Sequence, residues 1–241
     1  VFNFAASDLE GEDKLKIGYL SSMSTLNAIN NDSFYTKIKS FIIWLASRKF
    51  SIYKKEIIIK KIYSIEPNFE AYNFIKKNKI KNVEVFNFAA SDLEGEDKLK
   101  IGYLSSMSTM NKINKDSIYT KIKSFIIWIL TRKFAIYKNE IKIEKKRLDK
   151  FIDMKGIDIV DLLKIDTEGH EFNVIKGLGD EINKVKLILF EYHEDNSIVK
   201  NYSIDDISSY FVSKNFIQQS KIKMKFRNSF EYIFINNKYF N

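Results

Sequence analysis

Apolar residues recur along this chain with two different periods, and the two periods alternate. Short apolar runs bounded by turn residues predict strands, whereas apolar residues at every third or fourth position predict helices. The predicted strands cover residues 56–65, 82–88, 93–103 (a turn at Gly95 and then a strand), 140–147, 157–165, 185–192, 216–223 and 230–236. The predicted helices cover residues 69–77, 117–134, 148–154, 170–178 and 204–214.

This alternation predicts an α/β fold, with a twisted and mostly parallel sheet that has helices on both faces. The apolar run 157–165 is typical of a buried parallel strand. The last two strands predict a C-terminal antiparallel hairpin. We expect residues 56–65 to form one continuous strand.

The sequence also repeats itself. Residues 1–60 align without gaps to residues 85–144, so that Val-Phe-Asn-Phe at residues 1–4 recurs at residues 85–88. Two near-identical copies favour a tandem duplication or a chimeric gene over a solenoid, which needs several stacking units. We therefore divide the chain into a duplicated segment, residues 1–60, and a domain over residues 61–241.

The composition of the chain argues against a nucleic-acid partner, a disulfide and a metal site. The net charge of +9 accompanies lysines spread along the whole chain, which favours compositional bias, and we expect no nucleic-acid partner. The chain has no cysteine and only two histidines, so we expect no disulfide and no metal site. These features are compatible with a cytoplasmic location.

Polar residues follow several predicted strands, where ligands bind in open α/β sheets. Glu66 follows the first of these strands, and it either binds ribose hydroxyls or caps the next helix. Ser91 and Asp92 follow the second strand, and they either bind the edge of an adenine or form a turn. His193 ends the last strand of this group as a general base or as a surface histidine.

The densest group of titratable residues follows the strand at residues 157–165. This segment reads Asp166, Thr167, Glu168, Gly169, His170 and Glu171. So many titratable groups at one strand end are costly unless they are solvated or used. Carboxylates also favour a helix start, so part of this cluster serves as a cap under the alternative interpretation.

Taken in order, these motifs resemble the FkbM-type methyltransferases. The motifs are Ile-Glu-Pro-Asn at 65–68, Ala-Ser-Asp at 90–92, Lys-Ile-Asp-x-Glu-Gly-x-Glu at 164–171, Ile-Lys-Gly at 175–177 and Phe-Glu-x-His at 190–193. The resemblance implies a class I, Rossmann-like enzyme that uses S-adenosylmethionine. It also implies that the acceptor is a hydroxyl of a sugar, a glycan or another small molecule.

The resemblance also implies residue roles. Glu66 would bind the cofactor ribose, Ser91 and Asp92 would lie beside the adenine, and Asp166 would lie near the methionine end. The catalytic candidates are Asp166, Glu168, His170 and Glu171. Methyl transfer needs a base that removes the acceptor proton, and the first three of these residues remain alternatives for it.

The chain departs from the family before Ile62, where members have a strand that ends in a glycine-rich turn. Residues 1–60 occupy this place, and Gly11 and Gly18 do not lie in a strand–Gly-x-Gly–helix context. We expect the first strand and its glycine loop to be missing, and residues 1–4 to add at a sheet edge or to fill the vacancy. We therefore expect weak or no cofactor binding. The alternative function is a non-catalytic interaction or membrane-surface module.

An apolar run at residues 125–130 is flanked by Lys121, Lys123, Arg132 and Lys133. A helix over residues 117–134 would lie on an anionic membrane, cover the acceptor site, or pack in the core or in a dimer. The first copy repeats this run at residues 41–45, so packing of the two helices on each other is also open. Peripheral membrane contact and a homodimer are therefore both open. No apolar run approaches the ~20 residues that a membrane span needs.

Overall fold

The fold is known from a computed structural model, which describes residues 2–6, 13–18, 53–59, 61–103, 108–132, 136–224 and 228–240. The strands are β1 (Phe2–Ala6), β2 (Asp13–Gly18), β3 (Tyr53–Ile59), β4 (Lys61–Ile65), β5 (Val83–Phe86), β6 (Ala89–Ala90), β7 (Gly95–Gly102), β8 (Tyr137–Lys146), β9 (Val160–Ile165), β10 (Val185–His193), β11 (Phe216–Lys223) and β12 (Ser229–Asn236). The α-helices are α1 (Phe69–Lys77), α2 (Ile118–Thr131), α3 (Leu148–Met154), α4 (Glu171–Lys176) and α5 (Ile204–Ser213). Short 3₁₀ helices follow at Gly179–Lys184 and Asn237–Tyr239.

The main sheet is mixed. Its described strands follow the order β11-β12-β10-β9-β1-β4-β5. Neighbours are parallel in β9–β10 and β4–β5, but antiparallel in β1–β4, β1–β9, β10–β12 and β11–β12. The predicted α/β class and C-terminal antiparallel pair are confirmed. The prediction of a mostly parallel sheet is wrong, because β1 runs against both of its neighbours and β12 runs against β10.

Strand β1 fills the vacancy in the middle of the main sheet. Phe2 pairs with Ile65 of β4, and Asn3 pairs with Lys164 of β9. The start of β1 therefore lies at the edge where β4 and β9 end. Of the two positions expected for the N-terminal strand, the central one is confirmed.

The duplicated segment repeats a second structural unit. Strands β2 and β3 pair with Asp13 opposite Ile59, and β7 and β8 pair with Asp97 opposite Ile143 at the equivalent positions of the second copy. The prediction of one continuous strand over residues 56–65 is wrong. Residues up to Ile59 belong to the β2–β3 sheet, whereas Lys61–Ile65 joins the main sheet.

The second copy of the Val-Phe-Asn-Phe-Ala-Ala sequence is interrupted at Asn87. The Asn87 amide Nδ2 donates to the carbonyl oxygen of Glu66 at 2.8 Å and to that of Pro67 at 3.1 Å. The chain then leaves the main sheet, and β6 pairs with β8 beside β7. The strand predicted at residues 82–88 is therefore shorter and stops at Phe86.

Aromatic side chains fix the helices on the main sheet. Phe211 of α5 stacks on Phe234 of β12 with 4.4 Å between ring centroids. Phe151 of α3 meets Phe86 of β5 edge-on at 4.8 Å. Since each large ring buries much apolar area, these contacts tie one helix to each half of the sheet.

Candidate functional site

The loop between β9 and α4 turns sharply at two successive residues. Glu168 has a φ of 50° and Gly169 a φ of 104°. A Cβ at Gly169 would lie 2.5 Å from Ile198 Cγ2 and 2.8 Å from Asn111 Nδ2, so only glycine fits there. This turn presses the loop against two other segments of the chain.

Glu171 holds the loop from beneath. Its side chain is buried, with 1% of the residue exposed. Its Oε1 accepts hydrogen bonds from the Gly169 amide at 2.8 Å and from the Thr167 hydroxyl at 2.9 Å, and the Tyr202 hydroxyl lies 2.8 Å from Oε2. Burial and the nearby Glu171 carboxylate raise the pKa of Tyr202 far above its usual range, so the hydroxyl retains its proton.

His170 lies against the strand end that contains Ser91. The imidazole Nε2 is 3.0 Å from the Ser91 Oγ. Burial, and to a lesser degree the charge of Lys145, lowers the pKa of His170 to about 4 against the opposing charge of Asp92. The ring is therefore neutral at pH 7.

Asp92 is held from α4. Asn173 Nδ2 donates to Asp92 Oδ1 at 2.9 Å, and Lys176 Nζ lies 2.9 Å from Oδ2. Partial burial raises the pKa of Asp92, but the hydrogen bonds from Asn173 and Lys176 outweigh it and lower the pKa to about 2. The carboxylate is therefore ionised and engaged on both oxygens.

Gly177 lets the end of α4 approach the Ser91 backbone. A Cβ at Gly177 would lie 2.1 Å from the Ser91 carbonyl oxygen. The Lys-Gly pair that follows the acidic motif therefore has a packing role here. It holds Ser91, and with it the partner of His170, next to α4.

Glu168 and His193 form a second group, on the other side of the loop. His193 Nε2 lies 3.4 Å from Glu168 Oε2 and 3.7 Å from Glu191 Oε1, and its Nδ1 lies 3.9 Å from Asp195 Oδ2. Only 3% of His193 is exposed. The interpretation of His193 as a surface histidine is therefore wrong, and its ring faces three carboxylates.

A small pocket, with a cavity volume of about 20 Å³, adjoins Glu168. It lies between α2, the start of β8 and the loops around Thr109 and Ser197. Its lining residues are Thr109, Ile113, Thr120, Lys123, Ile136, Tyr137, Glu168, Ser197 and Ile198. Burial and the Glu168 charge raise the pKa of Tyr137 above its usual range, so this hydroxyl stays protonated and can donate a hydrogen bond.

Glu66 and Asp166 lie at the ends of β4 and β9, on either side of β1. Glu66 is buried, and its Oε1 accepts a hydrogen bond from the Asn68 amide at 2.8 Å. Among the residues that the structure describes, no donor lies within hydrogen-bond distance of its other oxygen. Asp166 is partly exposed, with Lys164 Nζ 3.8 Å from its Oδ2.

The predicted site residues thus fall into three groups. Ser91, Asp92 and His170 lie together, Glu168 joins His193, and Glu66 and Asp166 flank β1. Glu171 lies beneath the loop. Within the described part of the chain, no cluster of His, Asp and Glu side chains is arranged to hold a metal ion.

Sequence reasoning missed several residues that shape the site. Tyr202 binds Glu171 from a segment 31 residues away, and no local pattern marks it. Tyr137 and Ser197 reach the pocket from a strand start and from a loop. The pairing of Glu168 with His193 was also missed, although Glu168 follows β9, His193 ends β10, and these two strands are neighbours.

A protein-family model matches the region of the chain that contains all three groups of site residues. The family model described as Methyltransferase FkbM domain matches residues 46–217. No curated protein and no solved structure gives a significant match. The matched region covers most of the chain and includes all four predicted strand ends. The chain therefore belongs to the FkbM methyltransferase domain family.

Proposed function

We propose that this chain is an S-adenosylmethionine-dependent O-methyltransferase that acts on a hydroxyl of a sugar or another small molecule. The contact between Glu168 and His193 at the edge of a small, partly open pocket carries the proposal. Family membership supports methyl transfer in general. Hydroxyl, amine and carboxylate groups line the pocket together with three isoleucines, and these polar groups support a hydroxyl acceptor.

The sheet supports a Rossmann-like arrangement. From one edge, strands β5, β4, β1, β9 and β10 follow the order 3-2-1-4-5, with β1 at the place of strand 1. The pairs on either side of β1 are parallel, as such a sheet requires. The sheet departs from the Rossmann-like arrangement in the direction of β1, which runs antiparallel to both of its neighbours.

Glu66 and Asp166 have the chemistry and spacing for two parts of the cofactor. They follow strands separated by β1, so the ends of those strands lie two strand spacings apart, about 10 Å. The open oxygen of Glu66 suits ribose hydroxyls, and the Asp166 carboxylate suits a cationic methionyl end. When bound, S-adenosylmethionine supplies a methyl group on an electrophilic sulfonium.

The side chains of Ser91 and Asp92 are less available than those of Glu66 and Asp166 to bind the cofactor, here at its adenine. Ser91 is buried and bonded to His170, while Asn173 and Lys176 hold Asp92. We therefore propose that these two residues support the cofactor side through their backbone and through packing.

Glu168 is the residue that we propose as the base. It lines the pocket, so its carboxylate can accept the proton of an acceptor hydroxyl. His193 Nε2 lies 3.4 Å from this carboxylate, where an N–H on that nitrogen can orient it. Glu171 is engaged by three donors, and His170 faces Ser91, so both support the loop that carries Glu168.

Methyl transfer to a panel of sugars and small alcohols, measured with methyl-labelled cofactor at millimolar concentration, tests this proposal. Glu168→Gln should lower the rate about 100-fold or more, because it removes the base and preserves the side-chain shape. Asp205→Asn, on the exposed surface of α5, is the matched control and should retain the rate. A Glu168→Gln protein with full activity would exclude Glu168 as the base.

A second candidate function is a non-catalytic module, and the direction of β1 favours it. The start of β1, rather than a strand end with a glycine turn, lies between Glu66 and Asp166. Isothermal titration with S-adenosylmethionine should therefore show weak binding or none. Micromolar affinity would refute this expectation, and a complete lack of binding at millimolar cofactor would favour the non-catalytic module.

A further inference from the structure

Helix α2 exposes its apolar residues. Five large apolar side chains on it are between 46% and 77% exposed. They are Ile118, Ile122, Phe125, Ile126 and Ile129. Their spacing of four, three, one and three residues places them along one face of a helix, and we call this face the apolar stripe.

The protein side of α2 is more polar than the exposed side. Thr120 is buried, and both Thr120 and Lys123 line the pocket beside Glu168. Among the described side chains of this helix, Ile127 is the apolar one that is deeply buried. This is the reverse of the usual amphipathic helix of a globular protein, so packing against the described part of the chain does not account for the stripe.

The charges around α2 are of one sign. Residues 117–139 contain no aspartate or glutamate, but they contain Lys121, Lys123, Arg132, Lys133 and Lys138. At the C-terminal end of the helix, Phe125 stacks on Trp128 with 5.8 Å between centroids, and the Arg132 guanidinium lies 5.4 Å from the Trp128 ring. Aromatic and basic side chains together are typical of helices at the membrane–water interface.

We propose that the apolar stripe binds the surface of an anionic lipid bilayer, with α2 lying in the plane of the membrane. Its 14 residues span only about 21 Å, which is less than the hydrocarbon thickness of a bilayer. In the described part of the chain, no helix has the length and apolar character needed to cross a membrane. This binding does not depend on the proposed methyl transfer.

Charge favours lipid over a second copy of the chain as the occupant. A symmetric contact between two stripes would bring two sets of lysine and arginine residues together, in a chain with a net charge of +9. Anionic headgroups instead neutralise exposed basic side chains such as Lys121 and Arg132, while the stripe enters the boundary between headgroups and acyl chains. Asp116 precedes the helix, so the C-terminal half of the stripe should insert more deeply.

Vesicle co-sedimentation tests the proposal with the full chain. Vesicles of phosphatidylglycerol and phosphatidylcholine should retain the protein, and vesicles of phosphatidylcholine alone should retain far less. Because the first copy repeats the segment, the test variant is Phe41→Glu with Phe125→Glu. It should lower partitioning about tenfold or more, since a charged group replaces an apolar one at the interface.

Val212→Glu is the matched control, because Val212 is an exposed apolar residue on α5 and does not belong to the stripe. It should bind like the unmodified protein, and circular dichroism should show that both variants are folded. Equal binding of the Phe41→Glu/Phe125→Glu variant and the unmodified protein would overturn the proposal. So would the absence of vesicle binding, or a dimer in light scattering that the double variant abolishes.

Discussion

Glu171 is the residue whose predicted role the structure informs most. The sequence places it among the catalytic candidates, and the structure surrounds it with three donors. We predict that Glu171→Ala lowers the free energy of unfolding by about 3 kcal/mol, because the amide of Gly169 and two hydroxyls lose a charged acceptor. Urea unfolding followed by tryptophan fluorescence measures this change.

Glu171→Gln is the control for that experiment. It retains an acceptor oxygen but loses the charge, so its stability should lie between those of the unmodified protein and the alanine variant. A loss below about 1 kcal/mol in Glu171→Ala would show that the loop does not depend on this carboxylate.

His170 makes stability depend on pH. An unfolded histidine takes up a proton near pH 6.5, whereas the partly buried His170 takes one up only near pH 4. Between these values the unfolded state binds more protons, so stability falls as the pH drops from about 6.5 to about 4. Urea midpoints at pH 7 and pH 5 should differ more in the unmodified protein than in His170→Gln. Equal differences would contradict the lowered pKa of His170.

At the scale of the residue, the sequence predicts which segment carries the functional side chains but not the role of each one. The composition of residues 166–171 and their place after an apolar strand identify the loop. The roles depend on partners distant in sequence, such as Tyr202 for Glu171 and Ser91 for His170. Three-dimensional contacts decide those partners, and no periodicity in one chain encodes them.

The duplication provides a comparison at the scale of the element. The β2–β3 and β7–β8 pairs share register and the shift before their last residue, because the same local sequence forms the same ladder. The preceding strand behaves differently, since β1 is continuous and its copy breaks at Asn87. Local pattern therefore predicts the hairpin-like pair, while tertiary partners decide the strand before it.

Gly177 tests the packing between α4 and Ser91. Gly177→Ala should cost about 3 kcal/mol, because the new Cβ would overlap the Ser91 carbonyl oxygen and the backbone must move. Gly156→Ala is the matched control. No atom lies within 4 Å of its Cβ position, so only its φ of 59° costs energy, about 1 kcal/mol. Similar losses in the two variants would argue against the close approach.

For the whole molecule, the strand order could be predicted only in part. The alternation of elements predicts an α/β chain, and the vacancy before Ile62 predicts a place for an added strand. The direction of β1 is not encoded in its composition. An apolar strand with unpaired edges on both sides can accept either direction, and the connection to the next segment decides it.

The central position of β1 has a direct test. We predict that Phe4→Pro abolishes cooperative unfolding or lowers stability by about 3 kcal/mol, because each amide of a central strand faces a neighbouring strand. Lys16→Pro, in the two-stranded β2–β3 sheet, is the control and should have the smaller effect. Near-ultraviolet circular dichroism against urea measures both. A larger effect of Lys16→Pro would place the centre of stability elsewhere.

The two copies of Val-Phe-Asn-Phe-Ala-Ala also bear on how the chain reaches its native state. Residues 1–6 and 85–90 are identical, yet one copy lies at the centre of the main sheet and the other begins at its edge. During refolding from denaturant, both segments are therefore chemically equal competitors for the slot between β4 and β9. Chains that choose the second copy must unpair before they can complete folding, and we expect them to form a slow, aggregation-prone population.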